Sequence, residues 1–131
     1  MKVLGIIPAR YSSSRFPGKP LVDLKGKTMI QRVYEGASKS EKINQLVVAT
    51  DDERIVEEVN LFGGNVMLTA KDHQNGTQRC IEVANVFKEF DIIINIQGDE
   101  PLVDFRQLDL LLSAFNDVKV EIATLGIRTN N

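Results

Sequence analysis

The sequence predicts an α/β protein, a Rossmann-like three-layer α/β/α sandwich around a mainly parallel sheet. Short apolar runs alternate along the chain with longer segments of helical periodicity, which is typical of successive βαβ units. The apolar runs are rich in β-branched residues, as parallel strands are when helices cover both faces of the sheet. A chain of 131 residues without an internal repeat or a linker is expected to form one domain.

The first half of the chain is predicted to hold three strands and two helices. Each strand is a short apolar run, and each helix has apolar residues three and four positions apart. Thr50 or Asp51 is expected to cap the second helix, and the glycines at 63 and 64 to end it. The predicted segments are a strand at 3–7, a loop at 9–22, a helix at 28–38, a strand at 45–49, a helix at 51–62 and a strand at 65–68.

The second half continues the alternation. One helix places Cys80 on an apolar face, so Cys80 is expected to be a core residue. The run "DIIINI" is predicted as another buried strand. The predicted segments are a helix at 76–89, a strand at 91–96, a helix at 105–115 and a strand at 121–127.

Charge is distributed unevenly along the chain. The net charge is −2, yet residues 1–40 hold eight Lys or Arg residues and two acids, a local charge of +6. A nucleic-acid binder is usually basic overall, so we expect no nucleic-acid partner. A local basic segment on a mildly acidic protein favours a small anionic ligand, with a merely solvated basic face as the alternative.

Composition also predicts a compartment. No apolar run approaches the roughly 20 residues of a membrane helix, so we expect no membrane partner. The single cysteine, Cys80, cannot form an internal disulfide, and no Cys/His cluster suggests zinc. A reducing cytoplasm is the expected location.

The segment after the first strand predicts a phosphate-binding loop, because ligands of parallel sheets bind outside the carboxyl ends of the strands. Arg10, Arg15 and Lys19 supply positive charge that matches phosphate oxygens. Three serines, Ser13 among them, add hydroxyl groups, and prolines restrict the segment. A polyphosphate is the expected ligand, although the glycine patterns of the P-loop and of dinucleotide sites are absent.

A carboxylate follows the strand "IIINIQ". Asp99 comes after a glycine and supplies the oxygen ligands that Mg²⁺ prefers, so it is the candidate metal ligand. The alternative is that Asp99 caps a helix. Glu100 is either a second ligand or the start of the following helix, and Gln97 is expected to point at the same crevice.

The segment "DHQNGTQR" is the third candidate. Gly76 and Thr77 are expected to begin a helix whose first N–H groups are unpaired, a favourable place for a polar or anionic group. Arg79 lies in the first turn of that helix. His73 has no visible partner nucleophile, and we expect it to position the segment rather than to catalyse.

Four motifs together identify a resemblance. The runs "IPARYSSSRFPGKPL", "VVATDDERI", "DHQNGTQR" and "IINIQGDEP" occur in the order and spacing of the 3-deoxy-manno-octulosonate cytidylyltransferase (CMP-Kdo synthetase) family. The resemblance covers essentially the whole chain. It implies a nucleotide-diphospho-sugar transferase fold and a cytoplasmic, Mg²⁺-dependent enzyme of lipopolysaccharide biosynthesis. The family reaction joins CTP and 3-deoxy-D-manno-octulosonate (Kdo) into CMP-Kdo and diphosphate.

The resemblance also implies roles for individual residues. It places the side chains of the loop on the CTP triphosphate and the backbone of Pro8 and Ala9 near the cytosine. It makes Asp99 the magnesium ligand and Gln97 a sugar-facing residue. The implied nucleotide contacts are Pro8, Ala9, Arg10, Ser13, Arg15, Lys19, Gly76, Thr77 and Arg79, and the implied catalytic residues are Arg15, Lys19 and Asp99.

Two departures from the family pattern limit the prediction. Where the family has Ser-Gly-Thr and then an acid before the arginine, this chain has Asn75 and Gln78. Family members are also about twice as long, and their second half carries another metal carboxylate, most of the sugar pocket and much of the homodimer interface. Residues 1–131 are therefore expected to be the nucleotide-binding N-terminal part of the family domain, folding but not catalysing alone. The open alternatives are a related acid sugar, 8-amino-Kdo or an acylneuraminate, and an inactive nucleotide-binding fragment.

Overall fold

The structure is a computed structural model that describes residues 2–12, 17–71, 76–97, 105–113, 122–124 and 127–128. Within these residues the strands are β1 (Val3–Ala9), β2 (Asp23–Leu24), β3 (Lys27–Thr28), β4 (Gln45–Thr50), β5 (Val66–Leu68), β6 (Ile92–Asn95), β7 (Ile122–Thr124) and β8 (Ile127–Arg128). The helices are α1 (Met29–Ser38), α2 (Glu53–Leu61), α3 (Gly76–Val86) and α4 (Phe105–Ser113), with a short 3₁₀ helix at Lys19–Leu21. No helix among the described residues has the length and apolar character needed to cross a bilayer.

The central sheet is mainly parallel, as predicted. Its strand order in the described part of the chain is β5-β4-β1-β6-β7-β8. β1 lies between β4 and β6, with Ile6 beside Val47 on one side and Asn95 on the other. Only the pairing of β7 with β8 is antiparallel within this described sheet. The carboxyl ends of the parallel strands therefore share one edge, the carboxyl edge.

Two apolar clusters make the predicted three layers. Alternate residues of β1 point to opposite faces, with Val3 and Ile7 on one face and Leu4 and Ile6 on the other. The first face packs against α1, α2 and α4, through the buried side chains of Ile30, Val33, Ala37, Ile55, Val59, Leu108 and Leu112. The second face packs against α3 through Cys80 and Val83. The helices of the described chain thus cover both faces of the sheet.

The predicted cap of the second helix is wrong. Helix α2 begins at Glu53, and Asp52 caps it: the Asp52 Oδ1 accepts a hydrogen bond of 2.8 Å from the Arg54 N–H. Thr50 still pairs with Ala9 in the sheet, and the Asp51 carboxylate forms an ion pair with Arg79 instead. Sheet pairing and that ion pair thus leave Asp52 as the residue nearest the free N–H groups.

The ends of other strands and helices also differ from the predicted ones. The first strand continues to Ala9, and the third helix ends at Val86 rather than at 89. The single strand predicted at 121–127 is wrong, because Ile122–Thr124 and Ile127–Arg128 are two antiparallel strands. These deviations do not alter the order of the elements or the two-sided packing of the sheet.

A small hairpin between the loop and α1 was not predicted. β2 and β3 pair around Lys25 and Gly26, both with positive φ (58° and 95°), which is the geometry of a tight two-residue turn. The sequence signal is weak, because lysine rather than asparagine or glycine occupies the first turn position. The Arg32 Nε donates to the Leu24 carbonyl at 2.9 Å and fastens the hairpin to α1.

Candidate functional site

Polar segments converge at the carboxyl edge of the sheet. Ala9 at the end of β1 lies beside Thr50 at the end of β4, and Thr50 lies beside Leu68 at the end of β5. On the other side of β1, the Ile96 N–H donates to the Ile6 carbonyl at 2.8 Å, which places Gln97 at the same edge. The segments after β1, β4, β5 and β6 therefore begin at the same edge of the sheet, where ligands of such sheets bind.

The segment from the end of β1 to the first residue of the 3₁₀ helix, residues 10–19, is called the basic loop here, and the structure describes its two ends, 10–12 and 17–19. The Gly18 N–H donates to the Tyr11 carbonyl at 2.6 Å, so the two ends of the loop lie together. Gly18 has φ +76°, and a Cβ atom there would lie 2.9 Å from the Tyr11 Cε2. Arg10 is exposed and Lys19 is half-buried, and each adjoins one end of this closing hydrogen bond.

The basic loop is in contact with the start of α2. The Arg54 guanidinium lies over the Tyr11 ring, with its Cζ 3.3 Å from the ring centroid. The same guanidinium binds both carboxylate oxygens of Asp52, at 3.0 and 2.8 Å. That side-chain hydrogen bond lowers the pKa of Asp52, and the bond to Asp52 raises the pKa of Arg54. A cation and an aromatic ring therefore join the loop to α2.

Arg79 is turned into the protein. Its guanidinium is fully buried, and its Nη1 donates to the Thr69 hydroxyl and to the Ala70 carbonyl, the latter at 3.2 Å. Its Nη2 lies 3.5 Å from the Asp51 Oδ2. The residue thus ties α3 to the segments that follow β4 and β5. Nε and Nη2 have no hydrogen-bond partner within the described residues, and the predicted nucleotide contact of Arg79 stays a prediction.

The neighbouring Cys80 is a core residue, as predicted. It is fully buried against β1, β4 and β6. Burial raises the pKa of its thiol to about 12, with Arg79 acting weakly in the opposite direction. A protonated, enclosed thiol of this kind has no nucleophilic role in the site.

The end of β6 contributes two polar residues of different exposure. Gln97 is exposed at the carboxyl edge of the sheet, and its sugar-facing role stays a prediction. Asn95 is buried, and its Oδ1 accepts no hydrogen bond from the described residues. Asn95 is the last residue of β6 and pairs with Ile6 of β1, three residues before β1 ends at Ala9.

The remaining predicted site residues are only partly covered by the described structure. Ser13, Arg15 and Asp99 lie outside the described residues, as does His73. Gly76 and Thr77 form the first turn of α3, as predicted, and no side-chain contact is described for them. The described residues contain no group of three or more His, Cys, Asp or Glu side chains that could hold a metal ion. The predicted roles of these residues stay predictions.

Sequence reasoning missed the residues that follow β4. The local pattern assigns Asp51, Asp52 and Arg54 to the beginning of a helix, yet they directly follow a buried strand at the carboxyl edge. Ligands of parallel sheets bind outside the carboxyl ends of the strands, and this rule selects the segment after β4 as well as the three predicted segments. The contact between Arg54 and Tyr11 joins residues more than forty positions apart, and no local pattern predicts such a pair.

Comparison with known proteins supports the resemblance. A sequence profile of the cytidylyltransferase family matches residues 4–131. Over 126 residues, 95% of this chain, the sequence is 53% identical to a 3-deoxy-manno-octulosonate cytidylyltransferase of Fusobacterium nucleatum. Over 108 residues, 82% of this chain, it is 57% identical to one of Leptospira interrogans. The chain spans about half the length of these relatives, 51% and 44% respectively.

Solved structures agree with the fold. A CMP:2-keto-3-deoxy-manno-octonic acid synthetase complexed with CTP matches 90% of this chain and 48% of its own, with a TM-score of 0.87 and 47% identity. A cytidylyltransferase from Leptospira borgpetersenii matches 92% of this chain and 52% of its own, with a TM-score of 0.78 and 29% identity. A nucleotidyl transferase from Methanothermobacter, at 18% identity and a TM-score of 0.73, shows the likeness of fold alone.

Proposed function

The chain belongs to the cytidylyltransferase family, among the 3-deoxy-manno-octulosonate cytidylyltransferases, and we propose that the full-length protein transfers CMP from CTP to Kdo. The products are CMP-Kdo and diphosphate. Residues 1–131 form the nucleotide-binding part of the domain in this proposal. The observation that supports it most is the hydrogen bond that joins Tyr11 and Gly18, at the two ends of the basic loop after β1, in a chain 47% identical to a synthetase solved with CTP.

The basic loop binds the triphosphate of CTP in this proposal. Arg10 and Lys19 adjoin the closing hydrogen bond between Tyr11 and Gly18, so their positive charges are held at the crevice. Arg15, in the same loop, adds a third cation, and Ser13 a hydroxyl group. The backbone of Pro8 and Ala9, at the end of β1, faces the cytosine, and the first turn of α3 completes the nucleotide site.

The cofactor of the proposed reaction is Mg²⁺. The donor atoms suit Mg²⁺, because the carboxylate of Asp99 and the triphosphate oxygens are the hard oxygen ligands that this ion prefers. When bound, the ion neutralises charge on the phosphates and orients them. We assign Asp99 as the ligand contributed by this chain.

The chemistry follows from these parts. The anomeric hydroxyl oxygen of Kdo attacks the α-phosphorus of CTP and its proton is released to water. The bond between the α-phosphorus and the oxygen that bridges to the β-phosphorus breaks, and diphosphate leaves with that electron pair. Negative charge grows on the α-phosphate oxygens and on the leaving group, where Arg15 and Lys19 stabilise it. Gln97, exposed at the end of β6, orients the sugar. Positioning and electrostatics thus account for the catalytic contribution of the chain.

The biological setting extends the proposal. CMP-Kdo is the activated sugar for lipopolysaccharide biosynthesis, so we place the enzyme in that pathway and in the cytoplasm, where CTP is made. The full-length protein is proposed to be a homodimer.

The test is a diphosphate-release assay with the full-length protein. CTP, Kdo and Mg²⁺ together are expected to release diphosphate, whereas omission of Kdo or replacement of CTP by UTP abolishes release. Parallel reactions with 8-amino-Kdo and N-acetylneuraminate examine the sugar. Faster turnover of either sugar than of Kdo would contradict the proposed substrate, and no release with any sugar would contradict the enzyme activity.

A further inference from the structure

We propose that Arg54 is a positioning residue that holds the two described ends of the basic loop together, Tyr11 against Gly18, before the nucleotide binds. The inference rests on the proposed function, since CTP is the ligand that the loop receives there. It concerns a residue of α2 that is not among the predicted contacts of the nucleotide. Arg54 acts through Tyr11 and touches no reacting atom.

The contacts form a continuous path from the core to the end of the loop. Helix α2 is anchored by Ile55 and Val59, both fully buried. Next to this anchor, Arg54 lies over the Tyr11 ring at 3.3 Å from the centroid. The Tyr11 ring is packed so closely against Gly18 that a Cβ atom there would lie 2.9 Å from it, and the Tyr11 carbonyl accepts the Gly18 N–H. The ring therefore contacts both the far end of the loop and the helix.

The charge of Arg54 is already matched. Asp52 binds two nitrogens of the guanidinium and is itself held in place as the N-cap of α2. This fork keeps the guanidinium plane over the ring, as a bidentate pair does. Because its guanidinium is already bound to Asp52, Arg54 orients the Tyr11 ring and adds no further positive charge for the triphosphate.

A loop that is closed in advance binds its ligand more tightly. An open loop must lose conformational freedom when CTP arrives, and that ordering reduces the affinity. Contact between Arg54 and Tyr11 removes part of this ordering step, because both ends of the loop are already joined. The expected effect of losing the contact is therefore on affinity for CTP and on the order of the free loop.

The experiment compares charge-neutral double variants of the full-length protein. Asp52→Asn with Arg54→Gln removes the fork and the cation over the ring, leaves the net charge unchanged and keeps a good N-cap. The matched control is Lys27→Gln with Glu35→Gln, which removes another ion pair, half-buried and of 2.7 Å, between the β2–β3 hairpin and α1. Tyr11→Leu, which removes the aromatic face, is a second, independent test of the same contact.

Two measurements are made on each protein. Without nucleotide, hydrogen exchange of the Gly18 amide is expected to become about fivefold faster in the Asp52/Arg54 variant and in Tyr11→Leu, the size of an exposed cation–π contact. The Kd for CTP is expected to rise by about the same factor. The salt dependence of that Kd should stay unchanged, because no contact with phosphate is lost. The Lys27/Glu35 control should match the wild type.

Unchanged Gly18 exchange in both variants, or an unchanged Kd for CTP, would overturn the inference. A shallower salt dependence in the Asp52/Arg54 variant would also overturn it, by making Arg54 a phosphate ligand. A wild-type protein that protects the Gly18 amide but has no affinity for CTP would instead refute the proposed function. Since Gly18 exchange is measured without nucleotide, the two failures are distinguishable.

Discussion

Arg10, Arg54 and Arg79 lie near the same edge of the sheet, and their surroundings separate their roles. Arg10 is exposed beside the closing bond of the basic loop and is available to a ligand. Arg54 is bound by Asp52 and stacked on a ring. Arg79 is buried with an acceptor on each side, and only its Nε and Nη2 lack a described hydrogen bond. Exposure and pairing, rather than residue type, therefore separate the exposed Arg10 from the paired Arg54 and the buried Arg79.

At Asp99, we predict that Asp99→Asn in the full-length protein abolishes turnover with little effect on folding. An amide is a weaker ligand for Mg²⁺ than a carboxylate, and a group that holds the metal acts on the transition state. Activity is measured by diphosphate release and folding by thermal unfolding. A variant with wild-type turnover in Mg²⁺ would remove Asp99 from the site.

At the basic loop, Lys19→Ala and Arg15→Ala are each expected to weaken CTP binding by about tenfold, the loss of a charge-assisted hydrogen bond. Stability should change by less than about 0.5 kcal/mol, because loop side chains outside the core contribute little to it. Calorimetric titration with CTP measures the affinity, and Lys39→Ala, at an exposed lysine after α1, is the control. Equal affinity in both variants and the wild type would show that the loop does not hold the triphosphate.

We predict that the buried Cys80 thiol makes the folded protein less stable at alkaline pH. The folded thiol has a pKa raised to about 12 from the ordinary 9.0. Between these pKa values the unfolded chain releases a thiol proton that the folded chain keeps. The contribution of Cys80 to the free energy of unfolding is therefore complete below pH 9.0 and falls as the pH rises above it. The slope is about 1 kcal/mol per pH unit.

Urea unfolding across that window measures the effect, with Cys80→Ala as the comparison, since other groups also titrate there. The fall in stability should be smaller in Cys80→Ala. If both proteins lose stability equally, the Cys80 thiol has no raised pKa.

At the scale of elements, closure of the basic loop depends on one backbone conformation. Gly18→Ala is expected to cost about 1–2 kcal/mol of stability, because an alanine at φ +76° is strained. It should also weaken CTP binding, because the added Cβ displaces the Tyr11 ring. The two effects are measured by thermal unfolding and by titration with CTP.

The control for Gly18→Ala is Gly63→Ala. Gly63 has a similar φ of +82° after α2, and no atom of the described residues lies within 4 Å of the position that its Cβ would take. It should lose similar stability and keep the affinity for CTP. Equal loss of affinity in both variants would mean that general destabilisation, and not the loop, controls binding.

At the scale of the whole molecule, the described chain already has a core on both faces of its sheet. Buried side chains from α1, α2 and α4 cover one face and those from α3 the other. Several large apolar side chains are nevertheless exposed: Leu61, Leu68, Ile81, Val86 and Leu110. Since the chain spans about half the length of its relatives, we expect it to fold alone and to self-associate through such surfaces.

The 131-residue chain by itself is predicted not to catalyse. It offers Gln97 to the sugar and one candidate carboxylate to the metal, and a misplacement of about 1 Å can lower a rate about a hundredfold. The purified chain is incubated with CTP, Kdo and Mg²⁺ and diphosphate is followed, with the full-length protein as the positive control. Release at a comparable rate would mean that residues 1–131 hold a complete active site.

Local patterns predicted much of the fold and which polar segments lie at the carboxyl edge of the sheet. The apolar runs at Val3–Ala9, Gln45–Thr50 and Ile92–Asn95 form the centre of the sheet, because strands buried on both faces must be apolar along their length. The basic loop, Gly76 and Gln97 then fall at the carboxyl edge by connectivity alone. Element ends were less predictable, since Thr50 and Asp51 have partners that are remote in sequence.

The sequence by itself determined the alternation of strands and helices, the apolar core and the family of this protein, because these depend on residue type and short-range spacing. Tertiary structure alone decided which polar side chains meet. Arg79 is buried against Asp51 and Thr69, and Arg54 stacks on Tyr11, although nothing local distinguishes these arginines from Arg10. The physical reason is that burial and pairing of a charge depend on the segments that packing brings beside it, and those segments are distant along the chain.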